Sequence, residues 1–240
     1  MKLSMYAAED AGLPPYPALS FRCLLVIEKA ICTTWERMCT HSRAGFDLPS
    51  AVEDKVTHEL YERLFDEVFD HGIVDGFNRE VFMTVRREPK IRNFDALHLD
   101  KMPDLLVEFV GRPSGVMNSQ YGLFIECKPV DARHTTGACY CDQGLIRFIR
   151  GDYAWAMRNA MMIGYARAGN KLAPELTAAL GAPRREPIPT AGSPIPCPHA
   201  PASSVAEQVV TTIHERTFRY PGTDGLPGRI SIRHLWLKRM

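Results

Sequence analysis

The sequence has no apolar run approaching the roughly 18 to 20 residues that a bilayer demands, and no basic stretch near its start leads into an apolar core. A membrane span and a secretory leader are therefore not expected, and the cytoplasm is the expected location. A disulfide framework is missing too: the seven cysteines are odd in number and irregular in spacing, which suits thiols in a reducing compartment. No internal repeat or sustained heptad appears. An excess of one charge sign is also absent, since the formal net charge is +1. That balance hides an asymmetry. Residues 1 to 120 hold 14 Lys and Arg against 19 Asp and Glu, and residues 121 to 240 hold 15 against 9, so the second half is the better candidate for a polyanion surface. A hydrophobic fraction of 45% and a charged fraction of 24% are those of a globular chain, and 240 residues suffice for one core.

Proline punctuates both ends of the chain. Pro14, Pro15 and Pro17 mark residues 1 to 17 as a loose arm, and seven prolines in residues 182 to 204 predict a long loop without ladder or helix. Leu19 to Met38 has apolar spacing suited to a helix, giving an N-terminal arm and helix over residues 1 to 48 ahead of a core over residues 49 to 240. A second helix is expected from Ser50, with Ser50 as N-cap and Glu53 closing a capping box, a stripe of Val56, Leu60, Leu64 and Val68, and Gly72 as its stop. Three β-rich runs follow: Val81 to Val85, Asp104 to Val110 and Tyr121 to Val130. Asp142 to about Ala168 reads as a helical region broken near Gly151, Val205 to His214 as a short helix or strand, and Ile230 to Leu237 as a final strand.

Charges inside the third β-rich run need a reason. Side chains alternate along a strand, so Glu126 and Lys128 share one face while Ile125 and Cys127 take the other. Burying such a pair is costly unless it is matched or coordinated, and Asp104 can join it across a strand pair. Two carboxylates offer hard oxygen ligands to Mg²⁺, and the lysine can orient water or offset developing negative charge on a phosphoryl group.

Pro103-Asp104, followed after 21 residues by Glu126-Cys127-Lys128, resembles the P-D and E-x-K signature of the PD-(D/E)XK nuclease superfamily. The resemblance implies an α/β, restriction-endonuclease-like core, in which a mixed central sheet is flanked by helices and the order is helix, three-strand meander, helix and fourth strand. It implies Asp104, Glu126 and Lys128 as catalytic residues, Mg²⁺ with Mn²⁺ as a substitute, DNA as substrate and a 5′-phosphate product. By the same resemblance Glu53 joins Asp104 and Glu126 as a metal ligand, with the capping role as its alternative. Gln143, Arg147 and Tyr153 are the expected nucleic-acid contacts.

The Cys139-x-Cys141 spacing near His134 lacks a second pair, so zinc is not expected. His214, Arg216 and the basic residues to Arg239 read either as surface charges flanking the last strand or as a nucleic-acid path. No base-reading module is recognisable, so specificity is expected from a regulatory protein partner or a second copy of the chain. The family also includes effectors of prokaryotic antiviral defence. Two other readings stand beside the nuclease: a catalytically degenerate nucleic-acid-binding or scaffolding subunit, and a metal-dependent phosphatase with a narrow pocket.

Overall fold

The computed structural model describes residues 18–113, 116–167, 169–200, 203–222 and 226–239. The expected arm, residues 1 to 17, lies outside them. The chain is α/β. Seven strands form one mixed sheet: β1 (Phe82–Arg87), β2 (Leu105–Phe109), β3 (Gly122–Val130), β4 (Asn159–Arg167), β5 (Ile195–Pro196), β6 (Val210–His214) and β7 (Ile230–Arg239). Their spatial order is β1-β2-β3-β4-β7-β6-β5. The first three are an antiparallel meander, β3, β4 and β7 run parallel, and β6 and β5 return antiparallel.

Helix α1 (Phe21–Thr40) starts at Ser20, whose hydroxyl accepts from the Cys23 amide. Leu24, Ile27, Ile31, Trp35 and Met38 recur at helical spacing and are all buried. Trp35 stacks on Tyr165 of β4 at 5.4 Å and donates its indole N–H to the Lys238 carbonyl at 2.9 Å. Helix α2 (Glu53–Glu62) runs on as π-helical turns over Arg63–Phe69. Its stripe is as expected, with Val56, Leu60, Leu64 and Val68 wholly buried. A strict four-residue repeat drifts by about 40° per step on a 3.6-residue helix, and the wider π turns reduce that drift where Leu64 and Val68 must still face the core.

The region expected to be helical from Asp142 to Ala168 divides differently. A π-helical segment over Thr136–Leu145, capped by Thr135, leads into α3 (Ile146–Ile149). Gly151, at φ +79°, then turns the chain, and residues 159–167 are β4. The run Ala160 to Ala166 is buried on both faces, so no alternation marks it as a strand, and its Ala and Met residues suit a helix equally well. The undecided Val205 to His214 contains β6, and α4 (Leu172–Gly181) is an unanticipated helix.

The sheet separates two layers. Alternation puts Ile125, Cys127, Ile163 and Tyr165 toward α1 and α2, and Glu126, Lys128, Met162, Gly164, His234 and Trp236 toward the Thr136–Leu145 segment. The proline-rich segment is not free of ladder structure: Ile195–Pro196 pairs with β6. Proline is tolerated there because β5 is the edge strand. Ile188 and Cys197 are buried.

Candidate functional site

The site forms where β2 leaves β3. Their pairing runs from Glu108 opposite Gly122 to Leu105 opposite Ile125 and goes no further, for Pro103 has no N–H to donate. Beyond that point the side chain of Asp104 takes over: its Oδ2 accepts from the backbone N–H of Cys127 at 2.6 Å. The same carboxylate stands opposite Glu126, on the face that also carries Lys128. The Pro-Asp pair thus opens a fork in the sheet and fills it with a carboxylate.

Glu126 lies at the bottom of the fork, with none of its surface exposed. Tyr153, also buried, donates its hydroxyl to Glu126 Oε2. Two cations approach Glu126 Oε1: Lys128 Nζ at 3.1 Å and Arg147 Nη1 at 3.0 Å. These are ion-pair contacts without hydrogen-bond geometry, leaving Oε1 a buried acceptor with unfilled capacity. Lys128 Nζ also donates to Glu53 Oε1 at 2.7 Å. The lysine therefore stands between an acid of the sheet and an acid of α2.

Burial, reinforced by the neighbouring Asp104 charge, raises the Glu126 carboxyl to about 7 even though Lys128 and Arg147 pull it down. Asp104 is raised as well, by burial, against the pull of Lys128 and the Cys127 amide. For Lys128, burial works against the charge, but Glu126, Asp104 and Glu53 outweigh it and hold the ammonium above the ordinary lysine range. Arg147 is raised in the same way, chiefly by Glu126.

The structure brings together Glu53, Asp104, Glu126, Lys128, Arg147 and Tyr153. It leaves the Gln143 side chain exposed and outside the hydrogen bonds and ion pairs that join the others. Tyr153, expected at the nucleic acid, spends its hydroxyl on Glu126 inside the protein. Glu53 does not close a capping box. The N-cap of α2 is Val52, which offers no side-chain acceptor, and the Ser50 hydroxyl turns to Asp47 instead. The helix begins two residues later than expected, and Glu53, as its first residue, is free to reach Lys128.

Two residues that were not expected at the site shape it. At Gly144 a Cβ would come within 2.8 Å of Met162 Cε, 3.1 Å of Lys128 Cγ and 3.5 Å of Glu126 Cγ, so the covering segment lies against the site only because the position is bare. Arg216 is buried and donates to the carbonyls of Ala154, Trp155 and Met157, clamping the loop that presents Tyr153. The sequence-based placement on the surface is corrected for His214, Arg216, Arg233 and Arg239, which are buried, while Arg219 and Arg229 are exposed as expected. His214 bonds Thr212, Arg233 pairs with Glu28 inside the α1 layer, and Arg239 holds the carbonyls of Leu48, Pro49 and Ala51. Arg184, at the start of the proline-rich segment, is bound to Asp142 and the Ala179 carbonyl.

Among the described residues no three His, Cys, Asp or Glu side chains converge as a ready metal-ligand set. No helix is long and apolar enough to cross a membrane among those residues. Comparison with protein-family models, with curated proteins and with solved structures finds no match to this chain.

Proposed function

We propose that this chain is a metal-dependent nuclease of the PD-(D/E)XK type, hydrolysing DNA phosphodiester bonds at the fork between β2 and β3. One observation carries the reading: Asp104, Glu126 and Lys128 share one sheet face where the Pro103-Asp104 pair ends the ladder. The order of elements supports a restriction-endonuclease-like core, with α2, the meander β1 to β3, the covering helical segment and then β4 parallel to β3. The fourth core strand in this reading is β4, not the final strand.

The donor set fits a hard divalent cation such as Mg²⁺. Glu126 Oε1 is a buried acceptor with capacity to spare, and Asp104 uses one carboxylate oxygen on Cys127. Asp104 and Glu126 would hold the ion, with Glu53 next to them through Lys128. Such an ion, held by Asp104 and Glu126, would supply Lewis-acid polarisation of the phosphoryl group and activation of water. Lys128 keeps its proton, because the three carboxylates stabilise the ammonium, and so serves as a fixed positive charge and hydrogen-bond donor rather than as a base. Tyr153 and Arg147 hold the Glu126 carboxylate in one orientation. In this reading the oxygen of water bonds to phosphorus as the P–O3′ bond breaks, one water proton is given up to solvent and O3′ takes one from solvent, so that one water is added and the products are a 5′-phosphate and a 3′-hydroxyl.

A second reading has its own supporting observation. Glu126 is wholly enclosed and met by Tyr153, Arg147 and Lys128, an arrangement equally suited to a structural ion network in a non-catalytic subunit that binds nucleic acid or scaffolds a complex. Incubating the pure protein with plasmid, linear and single-stranded DNA, and with RNA, with and without Mg²⁺ or Mn²⁺, separates the two. The nuclease reading expects metal-dependent cleavage that Lys128→Ala and Glu126→Gln abolish while remaining folded. Absence of cleavage with either metal, or full activity in those variants, would sink it.

A further inference from the structure

A second buried polar system, away from the candidate site, crosses the face of the sheet under the covering helical segment. Tyr140 Oη lies 3.0 Å from His234 Nδ1, His234 Nε2 lies 2.7 Å from Thr212 Oγ1, Thr212 Oγ1 lies 2.6 Å from His214 Nε2, and His214 Nδ1 lies 3.2 Å from Thr190 Oγ1. Tyr140, His214 and His234 have no exposed surface. The chain starts on the covering segment, passes over β7 and β6, and ends on the proline-rich segment at the sheet edge.

Donor counting fixes its direction. Thr190 donates its hydroxyl to the Ile188 carbonyl at 3.0 Å and so accepts from His214 Nδ1–H. His214 Nε2 then has only a lone pair and accepts from Thr212. Thr212, its single proton used, accepts from His234 Nε2–H, and His234 Nδ1 accepts from Tyr140. Every ring lone pair is already occupied. A proton added to His214 goes to Nε2 and displaces the Thr212 hydroxyl, whereas one added to His234 goes to Nδ1 and displaces the Tyr140 hydroxyl, for which the Met162 carbonyl lies 3.4 Å away.

We infer that this hydrogen-bond chain is an acid-sensitive latch that fastens the proline-rich edge to the body of the sheet and lets it go when His214 gains a proton. The titratable groups facing the two rings are the other ring and, from the covering segment, Tyr140. From β4 the neighbour is the apolar Met162, from β7 Trp236, and from the proline-rich segment the uncharged Thr190 and the Pro189 carbonyl. Among the described residues no carboxylate is paired with either ring. Burial holds His214 at about 4 in the fold, and burial with the His214 charge keeps His234 well below the usual histidine value. In a released, solvated edge His214 would titrate near 6.5, so the released form binds more protons and the latch weakens as the pH falls from about 6.5 toward 4.

Two edge amides report on it directly: Ala191 N–H, which donates to the Ile213 carbonyl, and Cys197 N–H, which donates to the Val209 carbonyl, both at 2.8 Å. Amide exchange of the whole chain, corrected for intrinsic rates, should show their protection falling at least tenfold between pH 7 and pH 4.5 while amides of β4 stay protected. Thr190→Val, which removes the terminal acceptor together with the hydroxyl's bond to the Ile188 carbonyl, should lower the protection of the same two amides at pH 7 with little change in Tm. Long-range ¹H–¹⁵N spectra should place the proton of His234 on Nε2 and that of His214 on Nδ1. Parallel loss of protection at the edge and in β4, unchanged edge amides in Thr190→Val, or a proton on His234 Nδ1 at pH 7 would each overturn the latch.

Discussion

Asp104 holds two positions at once, as a charge beside Glu126 and Lys128 and as the acceptor for a strand amide. Its substitutions therefore separate. Asp104→Asn keeps an oxygen for the Cys127 N–H, so stability should change little while metal-dependent cleavage is lost. Asp104→Ala leaves that amide unmatched beside the core and should cost about 1 to 3 kcal/mol, read from urea denaturation of the two variants side by side. Gly144 gives a complementary case. An added methyl would press on Lys128 Cγ and on the mobile end of Met162, so Gly144→Ala should lose stability at or below the low end of the roughly 1 to 3 kcal/mol typical of overpacking, yet lose most of its cleavage by moving the lysine. A variant with wild-type turnover would show that the lysine need not be held so tightly. The E-x-K spacing made Glu126 and Lys128 legible in the sequence because strand alternation alone puts them on one face. Gly144 was not legible, because a bare position matters only once another element has been laid against it.

At the level of elements, the start of α2 shows how a local signal can be overruled. Ser50-x-x-Glu53 has the spacing of a capping box, but Ser50 bonds Asp47 and Glu53 is drawn to Lys128 from β3. Ser50→Ala should then cost well under the ~1 kcal/mol of a lost N-cap, a difference that equilibrium unfolding resolves easily. A full capping penalty would return Ser50 to the helix. The strand β4 was hidden for another reason. A parallel strand between β3 and β7 is apolar on both faces, and a continuous run of Ala, Met, Ile and Tyr carries no two-residue period. The edge elements β5 and β6 were unclear because prolines and short length weaken any propensity signal, and their pairing partners lie far along the chain.

For the whole molecule, the proline-rich segment is the clearest revision. It buries Ile188 and Cys197, gives two residues to the sheet and bonds β6 through Ala191 and Cys197. Replacing residues 186 to 201 with a Gly/Ser linker of equal length should therefore lower Tm and expose the β6 edge to self-association, visible by light scattering, where a free tether would have left both unchanged. The sequence by itself determined the mix of helices and strands, the stripe of α2, the three β-rich runs after it, the last strand and the shared face of Glu126 and Lys128. Those follow from periodicity and from residue types that act within a few positions of one another. Tertiary structure decided that Glu53 meets Lys128 and not its own helix cap, that Tyr153 and Arg216 work inside the protein, that β4 is a strand, and that the proline-rich segment closes one edge of the sheet. Each of these depends on contacts between residues tens of positions apart, where burial and hydrogen-bond satisfaction outweigh local preference.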